Sequence, residues 1–193
     1  MDITPYKKII RQLLGDYRYA HSIHVSEAAR DLADRYGADP DKAQLAGVLH
    51  DIVKDMPHDE QLACMQRYGI VLTPVERQAP KLWHAILGAA YIERTLDIHD
   101  QELLDAVRYH TTGRAGMSLL EKIVFTADFI AVGRDYKGVE EFRRLAKKDL
   151  AAVMHAELAY TITDLAQQGV AIHPDTVAAY NEVALALQQA RKG

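Results

Sequence analysis

The chain has 193 residues, 49% of them hydrophobic, and this length predicts one sizeable core in a single domain. Its formal net charge of −4 at pH 7 excludes a broad positive surface that would bind nucleic acid or an anionic membrane. Cys64 is the only cysteine, which excludes an intramolecular disulfide, and the absence of a signal peptide at Met1–Pro5 and of a long apolar run predicts a cytoplasmic protein.

The first third of the chain has the apolar period and the end signals of helices. Thr4-Pro5 is typical of a helix start, and Gly15 is the predicted end of that helix. The next helix is predicted to end at Gly37. Asp39-Pro40 then has the pattern of a capping residue followed by a first-turn proline, and predicts a third helix that runs to His50.

The rest of the chain continues in the same way. Further helices are predicted near 59–68, 81–96, 101–110, 119–131, 139–147, 150–168 and 175–190. Ser118 and Glu121 have the spacing of a capping box at the start of the 119–131 helix. We therefore predict an all-α fold, a single bundle of about nine helices. Its motif-bearing core covers about 17–135, and the C-terminal helices of 139–190 pack on this core.

Two segments depart from the helical pattern, 111–116 and 132–138. Both combine glycines with cations, and both follow a predicted helix end that carries a candidate ligand. They are therefore the predicted loops of a site.

His50-Asp51 ends an apolar run, Leu45–Leu49. Burying an imidazole beside a carboxylate is unfavourable unless something pairs them, and a cation is the simplest partner. Two other His-Asp pairs, His58-Asp59 and His99-Asp100, stand at helix starts, where we interpret the aspartates as caps.

Four further residues lie at apolar or loop-adjacent positions of other predicted helices. They are His21, His84, His110 and Asp128. Each histidine alone is more often a core or surface residue than a ligand, but the joint pattern of nitrogen and oxygen donors on several helices suits iron, manganese, zinc or nickel rather than calcium. His24 is interpreted as a supporting residue; His155 and His173 are weaker candidates, although the helix entry at His173-Pro174 could reach a site edge.

The order of these residues resembles the HD-domain hydrolases. Five segments are similar, more specifically, to the YqeK-type bacterial symmetrical diadenosine tetraphosphate hydrolases: Arg18-Tyr19-Ala20-His21-Ser22, Leu49-His50-Asp51-Ile52-Val53-Lys54-Asp55, Tyr109-His110-Thr111-Thr112-Gly113-Arg114, Ser118-Leu119-Leu120-Glu121-Lys122-Ile123 and Gly133-Arg134-Asp135. The likeness extends from about Tyr17 to Thr176. The surroundings of His84 match less distinctively than the other motifs.

The resemblance implies a role for each matching position. The principal metal, with iron favoured and manganese, nickel, cobalt or zinc as alternatives, would be held by His21, His50, Asp51 and Asp128. Asp51 could bridge to a second ion, and His84 and His110 would complete that second site or face the substrate phosphate. The phosphate and nucleotide side of the site would be lined by Arg18, Lys54, Thr111, Thr112, Gly113 and Arg134.

The resemblance also implies the reaction. A metal lowers the pKa of bound water, which can then attack the central anhydride of a dinucleoside tetraphosphate and release two nucleoside diphosphates. Asp51, Lys54, His84 and His110 would be the catalytic residues. An ADP- or GDP-like product is expected to co-purify, nucleic acid and membrane are not expected as partners, and a homodimer is a further expectation.

Three alternatives stay open at this stage. The first is another HD phosphohydrolase, a nucleotidase or phosphodiesterase, since the metal chemistry would be the same. The second is a nucleotide-binding module without catalysis, which would have no chemical need for all six ligand positions. The third is oxygen chemistry at paired irons, for which the sequence indicates no organic substrate.

Overall fold

The computed structural model describes residues 1–192 of the chain, which form eleven α-helices and one short 3₁₀ helix. The α-helices are α1 (Thr4–Leu13), α2 (Asp16–Tyr36), α3 (Pro40–Leu49), α4 (His58–Tyr68), α5 (Pro74–Gln78), α6 (Trp83–Thr95), α7 (Gln101–Tyr109), α8 (Leu119–Ile130), α9 (Val139–Ala146), α10 (Leu150–Gln167) and α11 (Pro174–Ala190), and the 3₁₀ helix is Pro80–Leu82. These residues contain no strand. The predicted all-α class is confirmed, while the predicted count of about nine helices is too low.

Most of the predicted helix ends agree with the structure. Gly37 ends α2 in the left-handed conformation, with φ of 79°, and the Asp39 side chain accepts hydrogen bonds from two backbone N–H groups of α3. The Ser118 and Glu121 capping box is present at the start of α8. Gly15, in contrast, is the N-cap of α2, because α1 already ends at Leu13.

The aspartates of the pairs His58-Asp59 and His99-Asp100 differ in whether they cap a helix. Asp100 caps α7 as predicted, since its side chain accepts a hydrogen bond from the N–H of Leu103. Asp59 lies inside the first turn of α4, which has Pro57 as its N-cap and no side-chain cap, so its predicted capping role was wrong.

Helix α5 was not predicted because it has only five residues, too few to show an apolar period. Its start is nevertheless encoded locally, since Thr73 and Glu76 form a reciprocal capping box. The 3₁₀ helix follows directly and leads into α6.

The long helices pack around one core. Helix α2 packs against α3 and α8, α7 packs against α3, α6 and α8, and α10 joins α11 to α8. The two helices α2 and α3 approach closely at Gly47, where an added Cβ would lie 2.7 Å from the Cα of Ser26. This close approach brings the His21 and His50 segments together.

Within residues 1–192, no helix combines the length and the apolar composition that a membrane-spanning helix needs.

Candidate metal centre

Five helices bring six ionisable side chains to one place in the core. His21 lies on α2, His50 is the C-cap of α3 and Asp51 follows it, and His84, His110 and Asp128 come from α6, α7 and α8. Five of the six are almost fully buried: His50 is 0% exposed, His84 2%, Asp51 3%, His110 3% and His21 6%. A cluster of this polarity inside an apolar core requires mutual pairing or a bound ion.

The carboxylate of Asp51 lies at the centre, and its two oxygens face different histidines. Oδ2 lies 3.4 Å from His50 Nε2 and 4.0 Å from His21 Nε2. Oδ1 lies 3.1 Å from His84 Nε2 and 3.7 Å from His110 Nε2. Asp51 therefore has the geometry of a ligand that is shared between two groups of histidines.

Asp128 closes the cluster from the α8 side. Its Oδ1 accepts a hydrogen bond from His21 Nε2 at 2.9 Å and lies 3.8 Å from His50 Nε2. The Arg134 guanidinium also donates to Asp128 Oδ1, and its Nε donates to the main-chain oxygen of Asp128 at 2.9 Å. Asp128 thus connects the histidines to the loop that follows α8.

Two of the histidines have a fixed ring orientation and tautomer. His50 Nδ1 lies 2.8 Å from the Gly47 oxygen and His110 Nδ1 lies 2.7 Å from the Val107 oxygen. A carbonyl oxygen can only accept, so each Nδ1 donates and each neutral ring presents the lone pair of Nε2 to the cluster. Backbone hydrogen bonds to the outer ring nitrogen are typical of metal-binding histidines.

The donor set fits a divalent metal. The buried Nε2 of His50 has no hydrogen-bond partner anywhere in the described residues 1–192, although two carboxylates are near it. Three overlapping triads have donor atoms within 4.8 Å of one another: His21, His50 and Asp51; His50, His110 and Asp128; and Asp51, His84 and His110. Histidine nitrogens and carboxylate oxygens that lie this close to one another can together coordinate a divalent cation.

The electrostatics of the cluster shift several pKa values. Burial would raise the pKa of Asp51, but His50, His84 and His110 hold it well below its usual range, and His21, His50 and Arg134 do the same for Asp128. Burial lowers the pKa of His84 to about 4 and also lowers the pKa of His21. Burial acts in the same direction on His50, yet the negative charges of Asp51 and Asp128 raise its pKa. Both carboxylates are therefore ionised, which a role as metal ligands would require.

Three of the predicted phosphate-binding residues lie at the rim of the cluster. Arg18 Nη1 donates to Asp51 Oδ2 at 2.9 Å, and Lys54 Nζ lies 3.0 Å from His84 Nδ1. Arg134 contacts Asp128 as described above. Burial lowers the pKa of Lys54, against the attraction of Asp51. The structure therefore places one cation beside each carboxylate and one beside His84.

The other three lie on the far side of His110. The Oγ1 atoms of Thr111 and Thr112 are buried and find no hydrogen-bond partner within the described part of the chain. Gly113 has φ of 62° and packs against helix α11, where an added Cβ would be 3.3 Å from the Cβ of Ala179. Arg114 turns away and pairs with Glu121 and Asp105.

Sequence reasoning missed Glu76, which fixes the segment that leads to His84. Its carboxylate accepts from Arg108 at 2.7 Å and from the N–H of Thr73, and its main-chain oxygen accepts from Trp83 Nε1 at 2.7 Å. The capping-box spacing of Thr73 and Glu76 was the available signal. His173 Nε2 lies 3.7 Å from a carboxylate oxygen of Glu76, and the idea that this helix entry reaches the edge of the site stays a prediction.

Comparisons with known proteins agree with this geometry. The model of the HD domain family matches residues 18–133. The chain is 41% identical to a symmetrical bis(5'-nucleosyl)-tetraphosphatase of Halalkalibacterium halodurans over 92% of this chain and 95% of that protein. It is 38% identical to a protein of the same name from Bacillus subtilis, over 89% and 92% of the two chains.

A solved structure extends the likeness to the fold. A crystal structure from Clostridium acetobutylicum, described as a predicted HD superfamily hydrolase involved in NAD metabolism, superposes with a TM-score of 0.90 at 33% identity. The match covers 95% of this chain and 97% of that one. The fold of this chain is therefore also found in another protein.

Proposed function

We propose that this chain, which belongs to the HD-domain family and within it to the symmetrical bis(5'-nucleosyl)-tetraphosphatases, hydrolyses diadenosine tetraphosphate to two molecules of ADP. The observation that carries the proposal is the pair of Nε2 atoms of His50 and His110, whose rings are oriented by backbone oxygens and which face the two oxygens of Asp51 in a buried cluster. Such a cluster suits a divalent metal, and we propose iron.

The proposed ligands divide into two groups. His21, His50, Asp51 and Asp128 would hold the principal ion, and His84 and His110 would complete a second site through Asp51 or face the phosphate. When bound, the metal supplies an activated water and polarises phosphoryl oxygens.

The protein's own cations would bind the tetraphosphate. Arg18, Lys54 and Arg134 stand at the rim, and each already contacts a proposed ligand. A guanidinium can bind phosphate through two parallel hydrogen bonds, so Arg18 and Arg134 are suited to orient the chain of phosphates. Lys54 adds a point charge beside His84.

For cleavage of the central anhydride, neutralising the charge on the leaving nucleoside diphosphate would matter more than protonating its oxygen. A nucleoside diphosphate is a good leaving group, and the charge that develops on its terminal oxygen can be stabilised by a placed cation. His84, whose pKa is about 4, would be neutral at pH 7 and would act by hydrogen bonding rather than as a charged acid.

Four finer points remain predictions: retention of an ADP- or GDP-like product during purification, a cytoplasmic location, a homodimer, and the division into a core of 17–135 and a C-terminal part of 139–190. The small-molecule nucleotide substrate agrees with the names of the relatives.

The test is a product analysis. The protein is purified anaerobically with iron or manganese and incubated with diadenosine tetraphosphate, and ion-exchange chromatography separates the products. Asp51→Asn keeps the side-chain shape and removes the shared charge, so it is the matched control. ADP as the sole product, absent with Asp51→Asn, is the expected result. AMP plus ATP would place the cut elsewhere, and an active Asp51→Asn variant would remove the cluster from the mechanism.

A further inference from the structure

The segment of residues 73–82, which leads to His84, is held in the fold in an unusual way. It contains helix α5 and the 3₁₀ helix, and of its ten residues, all of which the structure describes, Glu76 alone is buried. Helix α5 packs mainly against the 3₁₀ helix that follows it. A helix of five residues is not stable by itself, so tertiary contacts must hold it in place. Here the buried contact is made by a carboxylate and not by an apolar side chain.

Two cavities adjoin the 73–82 segment. One, of about 310 Å³, is lined by Glu76 and Arg108 together with other residues of α6 and α7. The other, of about 350 Å³, lies beside Thr112 and is lined by the segment, the loop after α7, and helices α10 and α11. Atoms that face a cavity make few van der Waals contacts on that side. The polar contacts of Glu76 therefore have a large share in fixing where the segment lies.

Glu76 connects the segment to α7 through its side chain and to α6 through its backbone. Arg108 Nη2 donates to Glu76 Oε1 and the N–H of Thr73 donates to Oε2, both at 2.7 Å. Trp83 Nε1 donates to the main-chain oxygen of Glu76, also at 2.7 Å. Burial would raise the pKa of Glu76, but the hydrogen bond from Thr73 and the charge of Arg108 lower it, so the carboxylate is ionised. Removing one partner of a buried ion pair leaves the other charge uncompensated.

These two connections end next to two histidines of the cluster. Trp83 directly precedes His84, and Arg108 precedes His110 by two residues. His84 lies in the first turn of α6, which has no side-chain cap, so the position of this helix start depends on the segment before it. The Nε2 atoms of His84 and His110 lie 3.1 Å apart, and both face Oδ1 of Asp51.

We propose that Glu76 is a positioning residue that holds His84 and His110 together, so that both rings face the same oxygen of Asp51. Glu76 hydrogen-bonds to neither histidine and acts through the two connections described above. The inference rests on the proposed function only for the choice of substrate in the kinetic part of its test.

The effect of Glu76 is expected to be local. His21 lies on α2 and His50 at the end of α3, and neither helix forms a hydrogen bond with the 73–82 segment among the described residues. Loss of the Glu76 charge should therefore move the rings of His84 and His110 and leave those of His21 and His50 in place. A residue that only stabilised the whole fold would affect all four rings alike.

The test is nitrogen NMR of the histidine rings in the full-length protein, both without metal and with zinc, which is diamagnetic. His84→Asn and His110→Asn identify the resonances of these two rings. In Glu76→Gln, which keeps the side-chain shape, the ring resonances of His84 and His110 are expected to shift, and those of His21 and His50 to stay. Glu93→Gln is the matched control, because Glu93 lies on α6 and lines the same cavity as Glu76.

Arg108→Met removes the same contact from its other side and should shift the same two resonances. The double variant with Glu76→Gln should shift them no further than either single variant, because each removes one shared contact. In the metal-loaded enzyme, kcat for diadenosine tetraphosphate is expected to fall about 10–100-fold in Glu76→Gln, with KM changed by less than about threefold.

Two results would overturn the proposal. One is unchanged resonances of His84 and His110 in both Glu76→Gln and Arg108→Met. The other is a shift of similar size for all four rings, His21 and His50 included, which would indicate a general role in stability. If Glu76→Gln does not fold, Arg108→Met decides by the same comparison. Shifts confined to His84 and His110 in a protein that does not hydrolyse diadenosine tetraphosphate would support the proposal and overturn the proposed function alone.

Discussion

Arg143 on α9 donates a hydrogen bond from Nη2 to the main-chain oxygen of Arg134, at 2.9 Å. The same guanidinium also donates to the oxygens of Ile130 and Ala131, both at 2.8 Å, while the Tyr136 hydroxyl donates to the oxygen of Phe129. These bonds satisfy the carbonyls that the end of α8 leaves free. They also tie the loop that carries Arg134 to the helix that carries Asp128.

Arg143→Lys is therefore expected to reduce activity without touching the site. The planar guanidinium of Arg143 bonds to three carbonyl oxygens at once, and a lysine ammonium cannot reproduce this geometry. Arg134 would therefore lose its position, and kcat/KM for diadenosine tetraphosphate should fall about 10–100-fold. Arg144→Lys is the matched control, because Arg144 is exposed and, among residues 1–192, its side chain bonds only to Glu140 on its own helix. Equal kcat/KM in both variants would show that Arg143 does not position Arg134.

Asp128→Asn should separate metal binding from folding. The amide keeps the shape of the carboxylate but lacks its charge, so metal content after purification should fall by at least about tenfold. A chelator should lower the Tm of the wild-type protein, because a bound metal stabilises only the folded state, and should leave the Tm of Asp128→Asn unchanged. Asp135→Asn, exposed in the next loop, is expected to behave as wild type; full metal loading of Asp128→Asn would contradict the ligand assignment.

The pKa of His84, about 4 and below its usual value of 6.5, predicts acid sensitivity of the metal-free protein. The unfolded chain takes up this proton more readily than the folded one, so the stability contribution is complete above pH 6.5 and is lost as the pH falls towards 4. The expected loss is up to about 3 kcal/mol.

Urea unfolding of the wild type and of His84→Asn between pH 4 and 7.5 isolates this effect from that of His50, whose raised pKa acts in the opposite direction. The difference in unfolding free energy between the two proteins should shrink towards acid pH. A difference that is constant across the range would mean that His84 titrates normally in the folded protein.

Two glycine substitutions should have opposite effects. Gly47→Ala places a methyl group 2.7 Å from the backbone of Ser26, which forces α2 and α3 apart and should lower the unfolding free energy by about 1–3 kcal/mol. Gly88→Ala in α6 meets only ordinary contacts, the nearest at 3.6 Å from Val107, and should stabilise the helix by up to about 1 kcal/mol. Thermal unfolding of both variants is the measurement. An unchanged unfolding free energy in Gly47→Ala would mean that α2 and α3 can move apart without loss of stability.

The sequence by itself determined most of the helices and the chemistry of the candidate ligands. Proline and aspartate at helix starts, the Ser118–Glu121 capping box and the apolar period act within a few residues, so they can be recognised without a tertiary structure. The apolar residues around His50, Asp51 and Asp128 in the sequence also show that burying these side chains has a free-energy cost, which is why an ion could be predicted from the residues alone.

Only the tertiary structure decided how these residues are arranged. The two-sided position of Asp51 depends on helices that are far apart in the chain. The tautomers of His50 and His110 and the contact of Arg143 with Arg134 involve partners only three or nine residues away, but they depend on where each backbone carbonyl points. The cavity beside Thr112 is formed by α10, α11 and a five-residue helix with its 3₁₀ extension, which no periodic pattern could bring together. Packing between segments that are distant in the sequence sets the surroundings of Asp51 and the shape of the cavity. A pattern along the sequence does not show which segments will pack together.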